Sequence, residues 1–267
     1  MLYCDSHTHT RYSDDSREEP RNQIEAAIAK GLKYIAVTDH ADPEHPEGYL
    51  GVTEAVLPFY LETMTALQKE YFGKINVTVG LEMGYLERGV ETATRMLAND
   101  YPQYVISSVH CFDDKDCYSA GFFDGLSREE AISRYLTAVL KSVSVPYRID
   151  AVGHLGYLER VMPYEDKRIR FDDFSGLLSK IFDKVLEREL LLEVNTSTGN
   201  SGTLSVPSEL LLKAYYDYGG RLVTTSSDAH YSNRIAHHFE EAQAMLKKIG
   251  FKHLFVKRGG EITELGI

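Results

Sequence analysis

Apolar and polar positions alternate along this chain in a pattern that predicts strands followed by helices. Short apolar runs predict strands at residues 2–6, 34–38, 75–81, 104–109, 151–153, 190–194 and 222–225, with a further candidate at 253–256. Amphipathic segments predict helices at residues 20–30, 52–71, 91–98, 127–143, 171–189, 207–218 and 235–249. In the fifth helix, Leu178, Ile181 and Val185 recur at helical spacing. Regular alternation of strands and helices indicates a parallel sheet covered by helices.

The predicted joints between elements carry residues that begin and end helices. Ser127 and Glu130 form a capping-box sequence, and Gly31 follows the first predicted helix. The longest predicted loops, at residues 41–51, 111–126 and 196–206, follow strands, where an α/β barrel keeps its working loops. Because the chain has 267 residues and no repeat or linker, we expect a single barrel domain over residues 1–267.

Composition narrows the choice of partners and compartment. The formal net charge of −11 gives a negative field that repels nucleic acid, so no nucleic acid partner is expected. The three cysteines, Cys4, Cys111 and Cys117, include no CxxC pair and are odd in number, which indicates a reducing compartment. No segment resembles a signal peptide or membrane span, so we expect a cytoplasmic protein without a membrane partner. The sequence gives no indication of the oligomeric state.

Histidines and carboxylates occur where the predicted strands end. His7 and His9 at the first strand, and Asp228 and His230 at the seventh, are pairs whose members point the same way on a strand. The other candidates at or shortly after strand ends are Asp15, His40, Glu82, His110 and His154. Imidazole and carboxylate groups bind zinc, iron and manganese. Because the carboxyl ends of barrel strands share one face, the set predicts a polynuclear metal site at the barrel mouth.

Each of these residues, taken alone, has a simpler interpretation. A lone buried histidine such as His110 or His154 is more often hydrogen-bonded in a core than bound to metal. Scattered core histidines have no reason to occupy the same end of five strands, so the whole set favours metal. Asp14 could serve in place of Asp15, and either could simply form a turn. His45 lies in the loop after the second strand, whereas the histidines expected on the surface are His237, His238 and His253.

These motifs resemble the PHP (polymerase and histidinol phosphatase) family of metal-dependent phosphoesterases. The matching segments are Asp5-Ser6-His7-Thr8-His9, Thr38-Asp39-His40, Gly80-Leu81-Glu82, Ser108-Val109-His110, Gly153-His154 and Ser227-Asp228-Ala229-His230. The resemblance implies a distorted (β/α)7 TIM-like barrel with parallel strands and outer helices. Chain length, and the Gly153-His154-Leu155 segment followed by Arg160, are most similar to the stand-alone histidinol-phosphate phosphatases.

The resemblance also implies three metal positions with shared ligands. The first would have His7, His9, Glu82 and Asp228, the second Glu82, His110 and His154, and the third Asp15, His40 and His230. Glu82 would bridge the first two positions. Many relatives have histidine where this chain has Asp15, and a carboxylate there suits a harder metal such as manganese without excluding zinc. We therefore expect two to three divalent ions of zinc, manganese or iron.

Such a centre suits a small phosphate ester as substrate. Divalent cations would make the barrel mouth positive inside a negatively charged protein. Two ions bridged by Glu82 would share a water and lower its pKa from about 15.7 towards about 7. The resulting metal-bridging hydroxide would attack phosphorus in line, which gives Glu82 a catalytic role.

The sequence also offers candidate phosphate-binding and proton-donating residues. Arg160 is the first choice for a phosphate clamp, ahead of Arg234 and Arg11, although each could be a solvated arginine. Asp39 and His45 are the candidate proton donors, but Asp39 faces away from His40 along its strand and could instead cap or support a neighbour. The acidic residues after His110 could bind the amine of a cationic substrate or form a solvated run; they are Asp113, Asp114 and Asp116.

The leading hypothesis is therefore a phosphomonoesterase, with L-histidinol phosphate favoured as substrate by the resemblance. A nucleotide or another small phosphate is the first alternative. An amidohydrolase-like metal hydrolase is the second, but its bridge is often a carboxylated lysine, whereas the third strand here ends in Glu82. A non-catalytic sensor of a phosphorylated metabolite is the third, and it is disfavoured because no predicted ligand position is missing.

Overall fold

Twelve strands are present in the computed structural model, which describes residues 4–99, 102–198 and 201–267. In chain order they are β1 (Cys4–Asp5), β2 (Tyr34–Val37), β3 (His40–Ala41), β4 (Asn76–Gly84), β5 (Tyr104–Ser108), β6 (Cys111–Phe112), β7 (Lys115–Asp116), β8 (Ala151–Val152), β9 (Leu191–Asn195), β10 (Val223–Ser226), β11 (His253–Arg258) and β12 (Glu261–Gly266). The helices are α1 (Pro20–Ala29), α2 (Leu57–Glu70), α3 (Val90–Asn99), α4 (Arg128–Ser142), α5 (Ser175–Glu187), α6 (Glu209–Asp217) and α7 (Phe239–Ile249).

Seven of these strands form the wall of a nearly closed parallel barrel, in the order β1-β2-β4-β5-β8-β9-β10. The first and last strands meet where the Ser6 amide donates to the Thr225 carbonyl at 3.0 Å. Further along, the His9 amide donates to the Ala229 carbonyl, also at 3.0 Å. Helices lie between consecutive strands, so the predicted seven-stranded barrel with outer helices is confirmed.

Alternation along the wall strands separates an outer apolar face from an inner face. In β9, Leu192 and Val194 belong to the main apolar core, whereas Leu191 belongs to a small separate cluster at one end of the barrel. Glu193 and Asn195 share the parity of Leu191 and therefore face the barrel interior. The inner face therefore carries polar side chains at the carboxyl end of β9, next to the loop that follows this strand.

The structure differs from the predicted elements mainly at their ends. The strand predicted at 75–81 continues to Gly84, so Glu82 lies inside β4 rather than after it. The helix predicted at 52–71 begins at Leu57, and the Val52 amide instead donates to the His40 carbonyl in β3. Residues 2–3 of the first predicted strand lie outside the described residues.

The candidate strand at 253–256 is confirmed, but it lies outside the barrel wall. It forms part of β11, which pairs antiparallel with β12 and adds nothing to the parallel wall. Phe255 packs against the small apolar cluster that includes Ile106 and Leu191, so this hairpin covers one end of the barrel. Within the part of the chain that the structure describes, no helix has both the length and the apolar character needed to cross a membrane.

Buried Glu159 supports the segment that carries Arg160. It lies in a 3-10 helix, Tyr157–Arg160, and its Oε1 accepts the Ile169 amide at 2.7 Å. Burial raises the pKa of the Glu159 carboxyl from its ordinary 4.5 to about 7. The folded state therefore binds the proton more tightly than the unfolded chain, so this group's contribution to stability is lost as the pH rises from 4.5 to about 7.

We expect Glu159→Gln to become more stable relative to the parent protein as the pH rises, because the amide cannot ionise. The difference should approach about 3 kcal/mol above pH 7 and be small near pH 5. Urea unfolding of both proteins across this range measures it. Exposed Glu165→Gln is the matched control and should show no comparable trend. A pH-independent difference for Glu159→Gln would contradict the assignment.

Candidate metal centre

The structure brings the side chains predicted as metal ligands together at the carboxyl end of the barrel. Groups of donor atoms close enough to share an ion include His7-His9-Glu82, Glu82-His110-His154 and His9-His40-His230. Register explains part of this convergence: His40 in β3 lies directly opposite Glu82 in β4. The short β3, which follows β2, thus brings His40 beside Glu82 in β4.

The first group has the spacing of ligands around a tetrahedral ion. His7 Nε2 lies 2.9 Å from His9 Nε2 and 3.2 Å from Glu82 Oε2. His9 Nε2 lies 3.1 Å from Asp228 Oδ1. Ligands bound to zinc at about 2.0–2.2 Å in tetrahedral geometry are separated by about 3.3 Å, so these four side chains fit such an ion.

The second group uses the other oxygen of Glu82. Glu82 Oε1 lies 3.1 Å from His110 Nε2 and 2.8 Å from His154 Nε2. The two carboxylate oxygens of one residue therefore face two different sets of imidazoles. This arrangement fits a carboxylate that bridges two cations.

The third group contains Asp15 rather than Asp14. Asp15 Oδ2 lies 2.9 Å from His230 Nε2 and 3.6 Å from His40 Nε2. The Asp14 carboxylate instead accepts the Gly51 amide at 2.9 Å, although it also reaches the cavity. Of the two aspartates left open by the sequence, the geometry favours Asp15 as the ligand.

The buried carboxylates of this centre need positive charge beside them. This need is the physical reason why metal ions fit the site. Burial alone would raise the pKa of the Glu82 carboxyl, but His7, His110 and His40 hold it well below its usual range. In turn, burial would lower the pKa of His110, but Glu82 and Asp42 raise it to about 10. Protons on the imidazoles thus balance the carboxylates when no metal is bound, and metal ions would replace those protons.

Unpaired atoms and the charge of the cavity support the same conclusion. Glu82 Oε2 and His230 Nε2 are buried and form no hydrogen bond of ordinary geometry in the described structure, although His7 Nε2 and Asp15 Oδ2 lie 3.2 and 2.9 Å from them. The carboxylates that line the adjoining cavity of about 360 Å³ are those of Asp14, Asp15, Asp42, Glu82, Asp116 and Asp228. Arg160 is the only lysine or arginine among the described lining residues. Such a cavity repels a phosphate dianion unless cations are bound, so the donor set fits two or three divalent ions.

A model of the PHP domain family matches residues 5–197 of this chain. The chain belongs to the PHP family. A histidinol-phosphatase from Lactococcus lactis subsp. lactis is 33% identical, covering 99% of this chain and 97% of that protein. A probable histidinol-phosphatase from Clostridium acetobutylicum is 26% identical, covering 96% of this chain and 98% of that protein. The crystal structure of the L. lactis histidinol phosphate phosphatase, complexed with zinc, L-histidinol and phosphate, superposes with a TM-score of 0.85 at 31% identity, covering 97% and 98% of the two chains.

Supporting contacts in this PHP centre include residues that the sequence analysis missed. His110 Nδ1 donates to Asp42 Oδ1 at 2.9 Å, and His7 Nδ1 donates to Glu193 Oε1 at 2.6 Å. Such partners orient the ligand ring and fix its tautomer. The missed signal was the same two-residue spacing used for His7 and His9: Asp42 follows His40, and Asn195 follows Glu193.

The backbone at Asp228 explains how one loop presents two candidate ligands of the PHP centre. Asp228 has a φ of 51°, a left-handed conformation that non-glycine residues seldom adopt. It is held by the hydrogen bond from its amide to the His7 carbonyl, at 2.9 Å. The neighbouring Ser227 amide and hydroxyl both donate to buried Asp5, at 2.9 and 2.6 Å. Asp5, the first residue of the N-terminal PHP motif, thus holds the backbone of the C-terminal motif that contains Asp228.

Among the predicted phosphate-binding residues, only Arg160 lies in the cavity. Its Nη2 donates to Asn195 Oδ1 at 2.9 Å, and its buried Nε has no hydrogen-bond partner in the described structure. The predictions for Arg11 and Arg234 are corrected, because neither lines the cavity. Arg11 pairs with Glu19 at 3.1 Å, and Arg234 is exposed after the last barrel strand.

Of the predicted proton donors, His45 lines the cavity and Asp39 does not. Asp39 is buried and accepts the Thr10 amide, the Thr10 hydroxyl and the Ser13 hydroxyl. That placement corrects its predicted catalytic role and matches the supporting role left open by the sequence. In the acidic run after His110, only Asp116 lines the cavity.

We expect Gly84→Ala to weaken metal binding. An added Cβ would overlap Asp42 Oδ1, so Asp42 must move away from His110. Loss of such a ligand-orienting partner typically costs about 10- to 100-fold in metal affinity or activity. Metal content after dialysis and kcat/KM measure the effect. Gly176→Ala in α5 is the matched control, because its Cβ would meet nothing within 4 Å. Equal metal content in parent, control and Gly84→Ala would refute the role of Asp42.

Proposed function

We propose that this chain is a metal-dependent phosphomonoesterase that hydrolyses L-histidinol phosphate to L-histidinol and phosphate. The main observation that supports this proposal is the convergence of imidazoles and carboxylates around Glu82, beside a cavity whose lining includes Arg160. The near full-length similarity to histidinol-phosphatases supports the choice of substrate. The complex of the L. lactis enzyme with L-histidinol and phosphate supports it further.

In this proposal the metal ligands are those expected from the sequence. They are His7, His9, Asp15, His40, Glu82, His110, His154, Asp228 and His230. When bound, divalent cations supply Lewis acidity and an activated water at neutral pH. Glu82 contacts His110 through Oε1 and His7 through Oε2, and so fixes the distance between the two ligand groups. Burial and the neighbouring rings of His230 and His40 lower the pKa of His9 to about 3, so its imidazole is neutral and able to bind a cation.

Arg160 is the proposed phosphate clamp. Its guanidinium lies 4.9 Å from the centre of the Tyr157 ring, which supports the planar group from one face. Its Nε has no hydrogen-bond partner in the described structure and is buried, so the side chain must shift before Nε can donate to a phosphoryl oxygen. A guanidinium can bind two phosphate oxygens in one plane, which orients the ester for in-line displacement.

Another part of the cavity lining suits the cationic part of histidinol. Asp116 and Tyr118 form this part of the lining together with His45. Burial raises the pKa of the Asp116 carboxyl, but hydrogen bonds from His45 and the Tyr118 amide lower it overall. Asp116 is therefore ionised at neutral pH and can pair with an ammonium or imidazolium group.

His45 is the proposed proton donor to the leaving alcohol. The Glu47 amide donates to His45 Nδ1 at 3.2 Å, which leaves the proton of a neutral ring on Nε2. Nε2 lies 3.5 Å from Asp116 Oδ2, at the cavity wall. As the imidazolium, with the Glu47 contact at Nδ1 broken, the ring would pass its Nε2 proton to the leaving oxygen and return to the neutral form.

The alternatives predict different outcomes at the same site. A nucleotide substrate would use the same metal ligands and differ only in contacts at the Asp116 wall. A carboxylated lysine of the amidohydrolase type has no counterpart here, because no lysine is among the described residues lining the cavity. A reducing, cytoplasmic location is proposed as well, since Cys4, Cys111 and Cys117 are all free thiols.

With zinc or manganese, the purified protein should release phosphate from L-histidinol phosphate. Its kcat/KM for this ester should exceed that for nucleoside monophosphates and glycerol phosphate by at least about tenfold, or about 1.4 kcal/mol of transition-state binding. The His110→Ala variant is the control for contaminating phosphatase. A preference for nucleotides would favour the first alternative, and tight binding of the ester without turnover would favour a sensor.

We expect Arg160→Lys to lower kcat/KM for the ester by about 10- to 100-fold. The substitution keeps the charge but loses the planar fork, and a hydrogen bond to a charged group is worth about 1.5–3 kcal/mol. Steady-state kinetics measure the effect, and metal content should stay unchanged. The control is Arg168→Lys, an exposed arginine paired with Asp166 outside the cavity. Parent-like kinetics for Arg160→Lys would remove Arg160 from the phosphate site.

A further inference from the structure

Strand β9 is the one wall strand of the described barrel that provides none of the proposed metal ligands. It nevertheless ends in Glu193 and Asn195, a polar pair with the same two-residue spacing as His7 and His9. Both side chains are fully buried and face the barrel interior, beneath the metal centre. A buried carboxylate there is costly unless its contacts compensate for lost solvent.

Every hydrogen-bond partner of the Glu193 carboxylate can act as a donor. His7 Nδ1 lies 2.6 Å from Oε1, and the Ser226 hydroxyl lies 2.5 Å from the same oxygen. The Asn195 amide adds a third contact to Oε1 at 3.2 Å. The backbone amide of His154 donates to Oε2. One carboxylate therefore contacts a ligand residue of the first proposed metal position and another of the second.

The contact with His7 determines which ring nitrogen carries a lone pair. A carboxylate can only accept, so His7 must hold a proton on Nδ1, which leaves Nε2 as the nitrogen that binds a cation once it carries no proton. That Nε2 lies 3.2 Å from Glu82 Oε2, inside the first ligand group. The second contact fixes the backbone at His154, whose φ of 21° is unusual for a non-glycine residue.

We propose that Glu193 is the positioning residue that holds His7 and His154 ready for metal binding. Asn195 extends this network towards the phosphate clamp, because its amide donates to Asp228 Oδ2 at 3.1 Å and its carbonyl oxygen accepts from Arg160 at 2.9 Å. The sixth wall strand thus contributes the support on which two ligands and the clamp depend. Because the proposal rests on the proposed metal centre and not on the ester, metal binding alone tests it.

Glu193→Gln is the decisive substitution, since it preserves size but replaces one acceptor oxygen with a donor amide. If the NH2 group faces His7, that ring must move its proton to Nε2 and lose its lone pair there. If the NH2 group faces the His154 amide, two donors meet. Either orientation should weaken metal binding about 10- to 100-fold, as measured by competition with a chelator for Zn²⁺.

Rescue by metal separates positioning from general damage to the fold. In the Glu193→Gln variant, added Zn²⁺ or Mn²⁺ should restore most of kcat, with KM for L-histidinol phosphate little changed. Glu193→Asp keeps a carboxylate and should bind metal with an intermediate affinity. Glu159→Gln is the matched control, because this buried glutamate accepts a backbone amide and has no hydrogen bond to a proposed ligand within the described residues, and its zinc affinity should equal the parent's.

Parent-like zinc affinity in Glu193→Gln would overturn the proposal. A loss of activity that excess metal does not restore would also overturn it. If Glu193→Gln does not fold, Glu193→Asp decides, and the proposal fails if its zinc affinity equals the parent's. A protein that loses zinc as expected but does not hydrolyse L-histidinol phosphate would contradict the proposed function alone.

Discussion

The buried carboxylate of Glu82 is the constraint on which the rest of this site depends. Its two oxygens face different groups of imidazoles and are both removed from solvent. A carboxylate at such depth is costly unless positive charge lies beside it. The surrounding histidines meet that demand with protons or, in the proposed function, with metal ions. The same charge balance allows a protein of net charge −11 to accept a phosphate ester.

The barrel makes this arrangement possible by bringing strand ends from the whole chain to one face. Parallel neighbours are in register, so His40 and Glu82 lie opposite each other before any loop contributes. A second set of carboxylates then fixes the rings, with Asp42 at His110 and Glu193 at His7. Close packing contributes as well, because the missing side chain of Gly84 leaves the space that the Asp42 carboxylate occupies. Ligand geometry therefore depends on backbone close to, but not within, the ligand motifs.

The sequence predicted the barrel and the candidate ligands more fully than their supports. Ligand types at strand ends stand out because histidine is uncommon and the two-residue spacing is local. Asp42 and Glu193 carry the same spacing but look like ordinary carboxylates until their partners are known. For the arginines, the sequence predicted too many site residues. Arg11, Arg160 and Arg234 each follow a predicted ligand histidine by a few positions, yet only Arg160 reaches the cavity. Loop paths, which follow no periodic pattern, decide that difference.

The sequence by itself determined the order of strands and helices and the chemistry of the strand ends. These follow from periodicity and residue type, which are properties of neighbouring positions. Only the tertiary structure decided that Glu82 faces two groups of histidines, that Asp15 rather than Asp14 lies between His40 and His230, and that β9 supports the centre from below. Those features depend on barrel closure, which brings His7 beside Asp228 and cannot be inferred from either segment alone.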